Sequence, residues 1–357
     1  ADIDAGAQRG ECVGLNAMAN HGIIDRSGVS NLFELLRGAQ IMGMSFDAAL
    51  VTVLPPIIFA GDPVTLTLSI GGPDGRVGAP LGGLGGLLGQ PQGLEFAHNS
   101  IEQDSSPTRD DLYDTGDPAT MNVTRFIELW NLVPQGGRFD LSVLNYWAAH
   151  RFHWSIEHSP NFFYGPLTGI IFRTVVYALI PRLLANHTGR YPDGELTHEV
   201  LESFYAITHD PAPFTYHVGW ERIPANWYGL ASTGSSWTLV DAITDAFSFC
   251  GPYPELCSFG GNVHGVNTFT GLRLDDPASG FANLGLLTNP TNFICFVLQF
   301  IRFLSPTFTN NLFADIFGLL GTTVSTIGCP EIPDLTRGAN SMIENLKQKY
   351  PGATVGW

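Results

Sequence analysis

The chain has 357 residues, 44% of them hydrophobic and 14% charged, enough to bury roughly three quarters of its unfolded surface. With 33 acidic against 17 basic side chains, a net charge of −16 and no Lys/Arg-rich run, it lacks the clustered cations that hold nucleic acid or anionic membranes. The chain begins at Ala1 with neither a methionine nor an apolar leader, which fits a mature secreted protein whose signal peptide has been removed.

In chain order, the run RGECVGLNAMANHGIIDRSG at 9–28 comes first. Leu15 and Ala19 share a face and Gly22 suits a C-cap, so a short helix is expected to begin near Cys12. SFDAALVTVL from Ser45, DLSVLNYWAAHRFHWSIEH from Asp140 and LTHEVLESFYAI behind Thr197, like SMIENLKQKY from Ser341, are predicted helices, each with a polar N-cap ahead of apolar three-and-four spacing. TLTLSI at 65–70 is the best strand, and APLGGLGGLLGQPQG at 79–93 reads as a long loop. GPLTGIIFRTVVYALIPRLLA at 165–185 is apolar all round, the mark of a buried helix. A membrane span is the alternative, but Arg173 near its centre would cost ~2.5–3.5 kcal/mol on insertion. As a core helix it must give Arg173 a partner. No internal repeat or linker divides the chain, so one mostly α-helical domain over 1–357 with minor β-structure is expected.

Two sequons, Asn122-Val123-Thr124 and Asn186-His187-Thr188, make Asn122 and Asn186 candidate glycosylation sites of an extracellular protein. Five cysteines leave one over in such a protein, a thiol to be treated as reactive or metal-bound. Cys250 and Cys257 can close a small ring and Cys295 and Cys329 can tie the C-terminal region, leaving Cys12; four cysteines allow three connectivities, and free buried cysteines are the alternative. A thiolate at the start of a helix is favoured by the free N–H groups there and can ligate iron; an inert buried cysteine is the competing reading. Glu102 and Asp104, in an acidic turn, can hold a hard cation or simply face solvent. His150, His153 and Glu157 fall within ~60° on one helix face, which suits zinc or iron or else a solvated surface. No GxSxG elbow marks an esterase.

The run around Cys12 resembles the PCPxLNxLANHG signature of the heme-thiolate peroxidases, the fungal chloroperoxidase and unspecific peroxygenase family, in which the motif cysteine is the axial iron ligand. Cys12, Leu15-Asn16 and Ala19-Asn20-His21-Gly22 match; the two prolines are Glu11 and Val13 here. The segment EQDSSPTRDD at 102–111 resembles the family's EGDxSxTRxD block. That likeness implies Mg2+ held by the Glu102 carboxylate, the Gln103 carbonyl and Ser106 beside a heme propionate. LSIGG at 68–72, SIEHSPNF at 155–162 and DGELTHEVLESFY at 193–205 follow in family order, and Cys295 and Cys329 match its C-terminal disulfide. The likeness runs from about residue 9 to about 330 and is strongest to the long peroxygenase subgroup.

The resemblance implies a helical heme-thiolate peroxidase fold, heme b on Cys12, and peroxide-driven oxidation of small apolar or aromatic molecules. One departure matters. The subgroup's distal Arg and acid–base Glu, counted without gaps from SPNF, fall on Thr168 and Val175, and no Asp or Glu occurs between Glu157 and Asp193. Arg173 can replace the positive partner or serve as a paired core charge. Activity is therefore expected to be weak or altered. A heme-thiolate protein with a non-peroxidative role (isomerase, dehydratase or ligand-binding protein) is the alternative, and a non-heme metalloprotein on the His150 face is the third reading.

Overall fold

The structure is a computed structural model that describes residues 1–262 apart from Asp4, 79–89, Ser100, 165–167, 210–212, 232–233 and 258–259. Helix α1 (Val13–His21) starts at Cys12, whose extended backbone makes it the N-cap residue, and stops at Gly22, which takes the left-handed conformation (φ 71°) that ends helices without steric penalty. The next strand, β1 (Val29–Asn31), pairs antiparallel with β2 (Thr67–Ser69), Val29 opposite Ser69. Only the centre of the predicted 65–70 strand is ordered as strand. Asn31 then caps α2 (Leu32–Ile41) by accepting from the N–H groups of Phe33 and Glu34.

Helix α3 (Phe46–Phe59) begins at Ser45 as its cap predicts, but runs five residues past the expected end, through Pro55 and Pro56. The two prolines remove the donors that would bond the carbonyls of Val51 and Thr52. The helix survives because Leu50, Leu54, Ile57 and Ile58 on its flanks are buried in the core, and packing rather than propensity decides.

After the short α4 (Leu112–Thr115) and α5 (Val123–Trp130), whose cap is Asn122, comes the long α6 (Leu141–His158). Asp140 caps α6 by accepting from Ser142 and Val143 N–H at 2.9 and 3.0 Å. β3 (Phe163–Tyr164) leads into the apolar 165–185 segment, which is not one continuous α-helix. Thr168–Arg173 form a π-helical turn, and α7 (Thr174–Leu183) follows. Gly169 is required in that turn because a Cβ there would sit 2.6 Å from the Tyr164 ring. π-turns carry an extra residue per turn and occur mostly at functional sites.

Helix α8 (His198–Phe204), capped by Thr197, precedes the ribbon of β4 (Ile207–Thr208) and β5 (Thr215–Tyr216), then α9 (Leu239–Cys250) and β6 (Gly260–Gly261), which pairs with β3. α7 packs against α6 and α9, and α2 against α3, around a core that includes Ala17, Leu54, Phe126, Trp147 and Phe249. The architecture is mostly helical with small antiparallel ribbons, as expected. Among the described residues no helix is long and apolar enough to cross a membrane. The predicted helix after Ser341, and Cys295 and Cys329, lie outside the described residues. Cys250 is disulfide-bonded, and Cys12 is the free cysteine among the described residues.

Candidate active site

Cys12 lies at the mouth of α1, half-buried, on the wall of a cavity of about 320 Å3. Burial pushes its thiol up; the N–H groups of Leu15 and Gly14 oppose that, and the neighbouring Glu11 adds to it. The helix start thus works in favour of the thiolate, but burial outweighs it and the net direction is toward the thiol. A metal ion would reverse the balance, since coordination deprotonates a thiol. The Cys12 turn is rigidly seated: a Cβ on Gly10 would lie 2.4 Å from the Ile70 carbonyl.

Glu11, which sequence reading registered only as a departure from the family proline, faces the same cavity. Its Oε2 is buried and finds no hydrogen-bond partner among the described residues. Burial, with smaller contributions from Glu102 and Glu95, raises its pKa to about 8 from 4.5. The folded state thus holds this proton more tightly than the unfolded chain does. Stability is lost as pH rises from about 4.5 and levels off near pH 8. Glu11→Gln should remove part of that decline, leaving the variant more stable at pH 8 by a few kcal/mol, on the order of 1.4 per pKa unit. Urea denaturation at pH 5 and pH 8 measures it; equal gains at both pH values would exclude the effect.

Part of the 102–111 loop, Glu102, Gln103 and Ser106 to Thr108, lines the same cavity. Ser105 holds a left-handed backbone (φ 59°), uncommon for a non-glycine residue. Three donors converge on its carbonyl: Arg173 Nε at 3.2 Å, the second Arg173 terminal nitrogen at 3.1 Å and Tyr177 OH at 2.8 Å. That Arg173 nitrogen also donates to Ala148 O at 2.6 Å. Its partners are thus carbonyls, not a carboxylate. Arg151 Nε donates to Ser106 O at 3.1 Å, and Trp147 Nε1 to Pro107 O at 2.8 Å. α6 and α7 together hold the loop.

Inside the loop, buried carboxyl groups crowd together. Burial, then the field of Asp111, raises Glu102 to about 8; burial and Asp111 push Asp104 well up, and Asp111 itself is raised by burial. His98 Nδ1 lies 2.5 Å from Glu102 Oε2, and His98 Nε2 lies 3.9 Å from Asp104 Oδ2. Among the described residues His98, Glu102 and Asp104 are the group whose ligand atoms fall within 4.8 Å of one another. Sequence reading found Glu102 and Asp104 but not His98, which precedes the motif by four residues.

Of the expected cation ligands, Glu102, Gln103 and Ser106 all line the cavity. The Gln103 side chain is turned back, donating to the Glu102 carbonyl at 2.8 Å, and Ser106 Oγ accepts from Arg109 N–H at 3.2 Å. The cavity is also lined by Phe172, Arg173, Val175, Leu179 and Ile180. Arg173 is 2% exposed, and its other terminal nitrogen finds no partner among the described residues. It is both a largely bonded core charge and a cavity residue with a donor to spare. Among the described residues the cavity's carboxylates are Glu11 and Glu102; α7 presents none.

The His150 face is solvent-facing. His150, His153 and Glu157 are exposed, His150 stacks on Trp147, and His153 pairs with Glu255 at 3.1 Å, so the structure does not gather these three into a metal centre. Asn122 spends its Oδ1 on the α5 cap and its Nδ2 on Asp110 at 2.7 Å. Asn186 accepts from Tyr228 N–H at 2.9 Å.

Residues 3–232 match the family model described as "Peroxidase, family 2". The chain is 38% identical to "Aromatic peroxidase fscJ" of Fusarium equiseti over 99% of its own length and 83% of that protein. It is 34% identical to "Dothistromin biosynthesis peroxidase dotB" of Dothistroma septosporum over 98% of its length and 83% of the relative. "Aromatic peroxygenase" of Cyclocybe aegerita is 30% identical over 58% of this chain and 54% of that protein.

Proposed function

The chain belongs to peroxidase family 2 and is an oxidoreductase of the peroxidase type, and from that premise we propose that it is a secreted heme-thiolate peroxidase or peroxygenase. Its iron would be held by Cys12, and it would use hydrogen peroxide to oxidise small aromatic or apolar molecules. The observation that carries this reading is a free thiol at the N-terminus of α1 opening onto an apolar-walled cavity of about 320 Å3 that also takes in Glu102, Ser106 and Arg173.

The residues present fit a heme. A lone thiol with helix N–H groups behind it suits iron, and the spare donor of Arg173 gives the cavity one positive group. When bound, the heme supplies the redox chemistry, with the thiolate donating electron density that favours O–O cleavage. The N–H groups of Leu15 and Gly14 favour the thiolate against the effect of burial, the aliphatic side chains exclude water, and the Arg173 guanidinium would stabilise negative charge on the α7 side of the cavity. The aromatic substrates named for the relatives suit the apolar walls.

Glu102, the Gln103 carbonyl and Ser106 would hold Mg2+ at the rim. Support comes from the buried acids behind them: one carboxyl oxygen each of Asp104 and Asp111 is buried without a hydrogen-bond partner among the described residues, and a hard cation beside this crowd of carboxyl groups would hold them ionised against their burial. Glu102→Ala should lower bound magnesium and weaken heme retention. Elemental analysis after chelator-free purification tests this; a wild type free of divalent ions would contradict it.

A non-peroxidative heme-thiolate role is favoured by one observation, the absence of any carboxylate among the described cavity residues of α7. Peroxide-dependent oxidation of an aromatic probe, normalised to heme content, separates the two. Product formation that scales with heme supports the peroxidase; heme-loaded protein with no peroxide-dependent product supports the alternative.

A further inference from the structure

Glu221 is fully buried and lies 205 residues from the residue it grips. Its Oε1 accepts from Asn16 Nδ2 at 3.0 Å and from Tyr216 OH at 3.1 Å; its Oε2 finds no partner among the described residues. Asn16 carries that grip to the thiol. Its Nδ2 also donates to Gly10 O at 2.8 Å, its Oδ1 accepts from Gly10 N–H at 3.1 Å, and its own N–H donates to Cys12 O at 3.0 Å. The Asn16 side chain thus grips both backbone groups of Gly10, two residues before Cys12, while its main-chain N–H closes the first helical turn onto the Cys12 carbonyl. Further along α1, Asn20 Nδ2 donates to the carbonyls of Gly219 and Glu221 at 3.0 and 2.7 Å, and His21 Nε2 accepts from Ile223 N–H at 3.0 Å.

A neutral glutamine could make the same two hydrogen bonds without leaving a charged oxygen orphaned, and a buried, incompletely paired charge is costly. The charge therefore calls for a function. Hydrogen bonds to a carboxylate are roughly twice as strong as neutral ones, and outer-shell hydrogen bonds and charge orient a metal ligand and tune its metal. Arg9, whose Nε and a terminal nitrogen donate to Asn20 Oδ1 at 3.1 and 2.7 Å, is the nearby cation that feels Glu221.

We propose that Glu221 is a positioning residue for Cys12: acting through Asn16 it fixes the Gly10–Cys12 turn, and its buried negative charge lowers the reduction potential of a metal bound there. This rests on the heme-thiolate reading for the potential, but not for the clamp. Glu221→Gln keeps acceptors for Asn16 and Tyr216 and removes the charge. In the full-length protein as purified, its reduction potential should rise, because a nearby anion favours the ferric state. Hydrogen exchange of the 10–16 amides should accelerate about fivefold, the loss of charge assistance on one hydrogen bond, with α6 and α7 unchanged. Wild-type values for both readouts would overturn the proposal, as would exchange accelerated equally in α6 and α7, which marks general destabilisation.

Tyr216→Phe provides a second variant of opposite sign. Removing a proton donor from the carboxylate strengthens its field, so the potential should fall; a rise would overturn the proposal. Exchange reads the clamp whether or not heme is present, so a wild type purified without heme would sink the heme reading while leaving the clamp to be decided by exchange alone.

Discussion

Cys12→Ala is expected to lose stoichiometric heme and, where any heme is retained, to lose the thiolate-type spectrum. Removing an outer partner of a metal ligand typically costs ~10–100-fold in affinity, and removing the axial ligand itself should cost more. The expectation follows from position. Cys12 is the free thiol among the described residues, it lies on the cavity wall, and the turn leading into it is held at Gly10 by the Asn16 side chain. Because alanine is small and the cavity open, the fold should persist, so circular dichroism must remain at wild type while heme content falls. Heme bound with an unchanged spectrum would remove Cys12 from the site.

Val175→Glu is expected to raise peroxide-driven turnover per heme. Val175 is the position at which the family's acid–base Glu falls when counted from SPNF, and the structure does place it on the cavity wall. A positioned general acid–base group contributes ~10²–10⁴-fold, about 3–5 kcal/mol of barrier. The same seven-residue separation counted from Arg173 reaches Ile180, which also lines the cavity; both registers put an aliphatic side chain where the carboxylate would act. The new carboxyl enters an apolar wall, so part of any gain is offset by dehydration, and rate must be read against heme content. A variant with full heme and unchanged turnover, together with the same result for Ile180→Glu, would show that another group already moves the proton.

Local signals were legible and long-range ones were not. Ser45, Asp140 and Thr197 announced α3, α6 and α8 because a cap and its helix are neighbours in sequence. The persistence of α3 through Pro55 and Pro56 was not legible, since burial of Ile57 and Ile58 by distant segments decides it. Nor was the π-turn at Thr168–Arg173, since a segment apolar all round over 165–185 marks a buried helix but not its local winding.

Arg173 demanded a partner in advance, but the partner turned out to be a strained carbonyl 68 residues away. In the site, Cys12, Glu102 and Ser106 were found through motifs, and they do share one cavity. His98 and Glu221 were missed for the same reason: each acts by touching a motif residue from outside the motif. Glu11 was in view but read only as a missing proline; its meaning depends on the apolar walls around it, which composition does not locate.

The most direct test of the central claim is the absorption spectrum of the purified protein reduced with dithionite under carbon monoxide. Thiolate ligation through Cys12 predicts one heme per chain and a strongly red-shifted Soret band, the signature of a thiolate-ligated heme. A band at the position of a histidine-ligated carbonyl heme, or no heme band at all after reconstitution with hemin, would contradict it.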